Sequence, residues 1–138
     1  MITAVDTNVV LDVFSGDPVF SATSRQRILE AQEFGAVTAC DVVWAEVAAW
    51  FPDSASAADA LGKLDIRFAA LDPAVPLAAG PAFSAYRKAG GSRDRIVADF
   101  LIGAHAWLRS DGLLTRDKGF YRTYFKKLKV IDPSTKRG

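Results

Sequence analysis

The sequence predicts an α/β fold with a mostly parallel central sheet and helices on both faces. Short apolar runs of strand length alternate along the chain with longer segments of helical length and spacing. No internal repeat, low-complexity tract or long linker interrupts this alternation, so residues 1–138 are expected to form a single domain. Strands that alternate with helices are joined by right-handed crossovers, which pair the strands in parallel.

The strands are predicted where apolar, β-prone residues form runs of two to six that end at turn residues or at acids. Five segments of the chain fit this description: residues 2–5, 36–39, 66–71, 112–115 and 130–131.

The helices are predicted from apolar spacing and from the residues that cap or stop a helix. Thr7 or Asn8 can cap the first helix and Asp41 can cap the third, whereas Gly35 and Pro52 stop the helices before them. The predicted helical segments are residues 9–14, 21–34, 42–51, 54–64, 72 to about 90, about 95–108, and a short turn or helix over 120–125.

Composition excludes several classes of protein. No apolar run reaches the roughly 20 residues needed to span a bilayer, and the first residues lack the basic start and cleavage site of a signal peptide, so we expect a soluble, cytoplasmic protein with no membrane partner. The chain has one cysteine, Cys40, and one histidine, His105. These exclude an intramolecular disulfide and argue against a zinc site, so we expect both side chains to be structural.

Charge is distributed unevenly along the chain. Residues 1–84 carry 4 basic and 11 acidic side chains, residues 85–115 carry 5 and 3, and residues 116–138 carry 8 and 2. The basic last segment also contains Phe120, Tyr121, Tyr124 and Phe125. Cations beside aromatic rings can bind single-stranded nucleic acid, although a solvated face over core aromatics is the commoner cause of such a pattern.

Four acids occupy positions where an apolar residue would be more usual. Asp6 ends the first predicted strand and Asp117 follows the fourth, so both are expected at the same edge of a parallel sheet. Glu46 and Asp99 interrupt apolar helical segments, in which an uncompensated carboxylate is costly.

Each acid alone also has a structural interpretation. Asp6 and Asp117 could cap the helices that follow them, and Glu46 and Asp99 could face solvent. Together, the four acids fit a shared divalent-cation site better than four unrelated placements. Because the donors are carboxylate oxygens without a usable histidine or cysteine set, the expected metal is Mg²⁺, with Mn²⁺ as the alternative.

At this point the chain resembles a PIN domain of the VapC toxin family, over nearly its whole length. Four segments carry the resemblance, and their order is that of the family's motifs. They are VDTN at residues 5–8 with Leu11 and Asp12, Glu46 after the second strand, RIVADFLIGAHA at residues 95–106, and TRDKGF at residues 115–120.

The resemblance implies a magnesium-dependent endoribonuclease that forms homodimers and is neutralised by a cognate VapB-type antitoxin. It implies an acidic cluster of Asp6, Glu46, Asp99 and Asp117, with Thr7 or Thr115 as a polar helper. It leaves Asp94 without a role.

The expected chemistry is hydrolysis of an RNA phosphodiester by water, which carboxylate-held Mg²⁺ activates while it stabilises the leaving oxygen. Asp6 and Asp99 are expected as direct ligands, and Asp117 and Glu46 as ligands directly or through water. Substrate phosphates are expected to bind a group of three cations: Arg116, Lys118 and Arg122.

Two alternatives from other classes stay open at this stage. A response-regulator receiver shares the size, the fold class and an acidic Mg²⁺ site, but it would need a phosphoacceptor acid after the third strand, which here ends in Ala69-Ala70-Leu71. A PIN-like RNA-binding or scaffolding module without catalysis would have the same fold; the presence of all four acids argues against it.

Overall fold

The computed structural model describes residues 1–92 and 97–134. Its centre is a five-stranded sheet in which every strand pair is parallel. The strands are β1 (Ile2–Val5), β2 (Ala36–Cys40), β3 (Ile66–Ala69), β4 (Gly112–Leu114) and β5 (Val130–Ile131). Their order in the sheet is β3-β2-β1-β4-β5. This confirms the predicted α/β class.

Seven helices connect these strands in the described part of the chain. They are α1 (Thr7–Ser15), α2 (Ser21–Glu33), α3 (Asp41–Trp50), α4 (Ser54–Lys63), α5 (Ala74–Lys88), α6 (Val97–Arg109) and α7 (Lys118–Tyr124). Right-handed crossovers that leave β1 in both directions along the sheet place helices on both faces. Within the described ranges, none of these helices has the length and apolar character needed to cross a membrane.

The reversal of strand order lies between β1 and β4. The first three strands step away from β1 on one side, and the chain then crosses back to form β4 and β5 on the other. Val5 pairs with Leu114, and the Asp6 N–H donates a 2.9 Å hydrogen bond to the Leu114 carbonyl. The residues that follow β1 and β4 therefore meet at the switch point, where a ligand site is expected in an open parallel sheet.

The core lies between the sheet and the helices, and the strands that carry the switch point are its most buried part. Val5, Leu113 and Leu114 are essentially inaccessible to solvent. Cys40 and His105 are buried as well, which confirms that both are packed side chains. Burial raises the pKa of the Cys40 thiol and lowers the pKa of His105, so each is held in its neutral form.

The structure corrects two capping predictions. The side chain of Asp6, rather than that of Thr7 or Asn8, caps α1, since its Oδ1 accepts a hydrogen bond from the Thr7 N–H at 2.8 Å. Asp41 is the first residue of α3 and not its cap, which is Cys40. The predicted start of the sixth helix at Arg95, and Asp94 beside it, lie outside the described residues.

A glycine in the middle of α6 determines how closely the end of α7 approaches that helix. A Cβ atom added at Gly103 would overlap the ring of Phe125. Phe125 is buried directly over Gly103, which brings the carboxyl end of α7 against α6. Only a residue without a side chain fits this contact.

Candidate functional site

Asp6 is the most buried acid at the switch point, with a relative exposure of 6%. Its Oδ2 accepts hydrogen bonds from Thr115 Oγ1 at 2.7 Å and from Asn8 Nδ2 at 3.3 Å. Burial raises the pKa of Asp6 to about 6, and the charge of nearby Asp99 raises it further, whereas the bonds from Thr115 and Thr7 lower it. Asp6 is therefore a carboxylate whose charge lacks full compensation from the protein.

Thr115 links the two central strands at this point. It is fully buried directly after β4, and its Oγ1 donates to Asp6 while accepting a 3.0 Å hydrogen bond from the Asp117 N–H. One hydroxyl thus orients the acid that follows β1 and fixes the backbone of the acid that follows β4. This contact supports the polar-helper interpretation of Thr115, whose role remains a prediction.

Asp99 and Asp117 approach Asp6 from two different helices. Asp99 lies in the first turn of α6, Asp117 precedes α7, and both are half-buried. The side chain of Asp117 does not accept the hydrogen bond that would cap α7, unlike the side chain of Asp6 at α1. Simple capping therefore accounts for only part of Asp6 and not for Asp117.

Tyr121 is a site residue that the sequence analysis placed only among core aromatics. It is 1% exposed, and burial raises the pKa of its hydroxyl, followed by the charges of Asp6, Asp99 and Asp117. Three of the four predicted acids therefore act on one phenol, which shows that they converge. Tyr121 lies four residues after Asp117, one helical turn along α7, and this spacing was the signal available in the sequence.

Glu46 differs from the sequence-based expectation. It does not interrupt a buried face, because its side chain is exposed on α3. It still faces the same edge of the sheet, where Thr7 Oγ1 donates a 2.7 Å hydrogen bond to Glu46 Oε1. Thr7 follows Asp6 directly, so this contact connects Glu46 to the other acids and gives Thr7 a polar role at the site.

Two of the three predicted phosphate-binding cations are engaged by acids outside the cluster. Arg116 donates from Nε and Nη2 to Asp12, at 2.8 and 2.9 Å. Lys118 Nζ lies 2.8 Å from Asp132 Oδ2. Arg122 is exposed on α7, and no side chain of the described ranges forms an ion pair or hydrogen bond with it. Phosphate binding by these residues stays a prediction, and Arg122 is the most available of them.

Asn8 is a further residue whose role the sequence analysis did not assign. Its amide donates to Asp6 and lies 3.5 Å from Thr115 Oγ1, while its Oδ1 accepts a 3.2 Å hydrogen bond from the Arg116 N–H. The side chain therefore bridges the segments that follow β1 and β4. Its proximity to Asp6 in the first motif was the available signal.

The four acids provide the oxygen donors that a hard divalent cation prefers. The partly uncompensated charge of Asp6 beside Asp99 is the feature that a bound cation would neutralise. Within residues 1–92 and 97–134, no three Asp, Glu, His or Cys side chains are close enough to form a ready-made metal site. The donor chemistry fits Mg²⁺ or Mn²⁺, and binding would require the carboxylates to draw together or to act through water.

Comparisons with known proteins agree with this geometry. A family model described as the PIN domain matches residues 3–126. A search of curated protein sequences finds no match.

Three solved structures share the fold at low sequence identity. A chain of VapBC2 from Rickettsia felis, solved bound to a DNA fragment from its promoter, has a TM-score of 0.75 and 15% identity, covering 95% of this chain and 98% of that one. A chain of VapBC-1 from nontypeable Haemophilus influenzae has a TM-score of 0.72 and 17% identity, with coverages of 98% and 100%. A chain of FitAB bound to an IR36 DNA fragment has a TM-score of 0.72 and 21% identity, with coverages of 100% and 99%.

These identities indicate a shared architecture, and the family model covers most of the chain. The match also answers the receiver alternative, since the motifs lie where a PIN domain has them. The chain belongs to the PIN domain family.

Proposed function

We propose that this protein is a metal-dependent endoribonuclease and the toxin of a VapBC-type toxin-antitoxin pair. The observation that carries the proposal is the placement of Asp6, a buried carboxylate with a raised pKa, beside Asp99 at the switch point of a parallel sheet. Strongly perturbed acids in such a position are typical of catalytic centres. The PIN domain match and the fold shared with VapBC and FitAB chains support the same assignment.

Asp6 and Asp99 would hold Mg²⁺, or Mn²⁺ in its place, with Asp117 and Glu46 contributing directly or through water. When bound, such a cation supplies an activated water and stabilises the leaving oxygen of a phosphodiester. Thr115 holds the Asp6 carboxylate in one orientation, and Thr7 holds Glu46. Arg122, exposed on α7, is the cation best available to bind a substrate phosphate.

We propose a VapB-type antitoxin and a second copy of the chain as protein partners. The structural neighbours come from structures of VapBC and FitAB systems, some of them bound to DNA. An antitoxin that covers the switch-point edge would block access of RNA to Asp6 and Asp99. An RNA-binding module without catalysis is the second candidate, since its fold would be the same.

The experiment measures cleavage of a single-stranded RNA by the purified protein in Mg²⁺, in Mn²⁺ and in EDTA. Asp6→Asn and Asp99→Asn are expected to abolish cleavage while the protein remains folded, because an amide keeps the shape but loses the anionic oxygen. Asp59→Asn, an exposed acid on α4, serves as the matched control and should cleave normally.

End-group analysis of the products tests the mechanism. Attack by water with departure of the 3′ oxygen gives a 5′-phosphate and a 3′-hydroxyl. Recovery of a 2′,3′-cyclic phosphate would refute water attack. Absence of cleavage by a wild-type protein that still binds RNA would favour the non-catalytic module.

A further inference from the structure

A groove of about 500 Å³ lies between α5, α6 and the end of α7. Pro81 and Ala82 of α5 form one wall, Trp107 of α6 forms another, and Tyr124 of α7 lines it from the third helix. Trp107 is 40% exposed, so a large ring faces solvent at this groove. No residue of the acidic cluster lines it, and the groove is therefore separate from the candidate site.

Lysine side chains line the same groove. Lys126 and Lys127 contribute to it and are exposed, and no acid of the described ranges lines it. Residues 116–138 carry 8 basic and 2 acidic side chains, whereas residues 1–84 carry 4 and 11. The electrostatic potential of the protein therefore favours a polyanion at this end of the molecule and disfavours one at the other.

The groove shares its walls with the candidate site. Phe100, which follows Asp99 in α6, packs against Tyr124 with ring centroids 5.9 Å apart. Trp107 lies eight residues after Asp99 in α6, about 12 Å further along the helix axis. A strand of nucleic acid that passes the acids can continue along α6 and α7 into the groove within a few nucleotides.

The chemistry of the lining distinguishes single-stranded from double-stranded nucleic acid. An exposed indole provides a flat face on which an unpaired base stacks, and the lysines lie where the flanking phosphates would run. Bases inside a duplex are already stacked and cannot use such a face. Phe120, Tyr121 and Phe125, the other aromatic residues of this segment, are buried and provide only packing.

We propose that this groove, defined by Trp107, Tyr124, Lys126 and Lys127, is a subsite that binds single-stranded RNA a few nucleotides from the scissile bond. The proposal rests on the proposed ribonuclease function for its substrate class. The groove gives affinity and sets a minimum substrate length, and it takes no part in the chemical step.

The test measures binding of a fluorescent 12-nucleotide RNA by anisotropy, using full-length protein with Asp99→Asn so that the RNA survives. Lys126→Glu with Lys127→Glu is expected to weaken binding at least tenfold at low salt and to reduce the salt slope by about 2, one per lost phosphate contact. Trp107→Ala is expected to weaken binding at least fivefold through lost stacking.

Matched controls use the other end of the molecule. Lys63→Glu with Arg67→Glu makes the same charge change in the acidic part, and Trp50→Ala removes an indole with an exposure of 50%. Both controls should bind RNA nearly as tightly as the parent. Circular dichroism and melting temperature verify that every variant is folded.

A cleavage assay in the active protein separates the subsite from the catalytic site. Groove variants should raise KM for a 12-nucleotide RNA with little change in kcat, and should leave cleavage of a trinucleotide unchanged. Groove-dependent binding by a wild-type protein that cleaves nothing would refute the nuclease function and leave the subsite standing.

Two results would overturn the subsite. One is equal RNA affinity and salt slope in the groove variants and their controls. The other is a change of oligomeric state in sedimentation with RNA affinity unchanged, which would assign the groove to a second copy of the chain.

Discussion

Arg116 holds Asp12 through two parallel hydrogen bonds, Nε to Oδ2 at 2.8 Å and Nη2 to Oδ1 at 2.9 Å. The Asp12 side chain is 4% exposed and accepts a third bond from Ser24 Oγ, while the guanidinium lies 4.1 Å from the ring centroid of Phe20. This pair ties the segment after β4 to α1 and α2. Arg116 therefore has a structural function that its position in the fourth motif did not reveal.

Removal of the Asp12 carboxylate should destabilise the fold. Asp12→Ala leaves the guanidinium and the Ser24 hydroxyl without their acceptor, and we expect a loss of about 2–3 kcal/mol, discounted because Arg116 is one-third exposed. Urea unfolding measures the change. Asp59→Ala, which breaks the exposed Lys63 pair, should cost less than about 1 kcal/mol. Equal losses in the two variants would show that the Arg116–Asp12 pair is no stronger than a surface ion pair.

The raised pKa of Asp6 predicts a pH dependence of stability. The pKa of this carboxyl is about 6 in the folded protein, against an ordinary value of 3.8 when the chain is unfolded, so the folded protein binds the proton more tightly. The resulting stabilisation is complete below about pH 4 and is lost as the pH rises through 6. Asp6→Asn, which does not titrate, should therefore gain up to about 3 kcal/mol on wild type between pH 4 and pH 7.5.

Urea unfolding of both proteins in EDTA at several pH values measures this difference. EDTA keeps trace cations from compensating the charge of Asp6. Two stability curves that stay parallel across the range would show that Asp6 ionises normally in the folded protein.

The Thr115 hydroxyl should matter more than its size suggests. Thr115→Val keeps the shape but removes the donor to Asp6 and the acceptor of the Asp117 N–H, so we expect a loss of about 1–3 kcal/mol and weaker RNA cleavage. Thr115→Ser keeps the hydroxyl and should retain most of the activity. The comparison fails to support this role if the serine and valine variants cleave RNA at the same rate.

Divalent cations should stabilise the folded protein. A ligand that binds only the native state raises the melting temperature, so millimolar Mg²⁺ or Mn²⁺ is expected to do so at pH 7.5. The shift should vanish in the Asp6→Asn, Asp99→Asn double variant and persist in Asp59→Asn. Sodium chloride at matched ionic strength controls for screening. A cation-induced shift of equal size in the double variant would place the cation elsewhere.

Strand positions and the location of the site followed from the sequence because they depend on local patterns. β1 and β5 lie where the apolar runs predicted them, and Asp6 lies at the expected edge of the sheet. The contacts of Arg116 and the exposure of Glu46 could not be predicted in the same way. They depend on which face of a helix meets a distant neighbour, and Asp12 is 104 residues from Arg116.

The order β3-β2-β1-β4-β5 also has a consequence for how the protein folds. The bond from Thr115 to Asp6 joins residues 109 positions apart, and the pairing of β1 with β4 closes a loop that contains most of the chain. Long-range parallel pairing of this kind forms slowly, because the entropy of closing the loop is lost before the contacts form. The two halves of the acidic cluster therefore meet only when the central strand pair is complete. A chain still emerging from the ribosome, or any fragment that ends before β4, lacks the arrangement that the proposed chemistry requires.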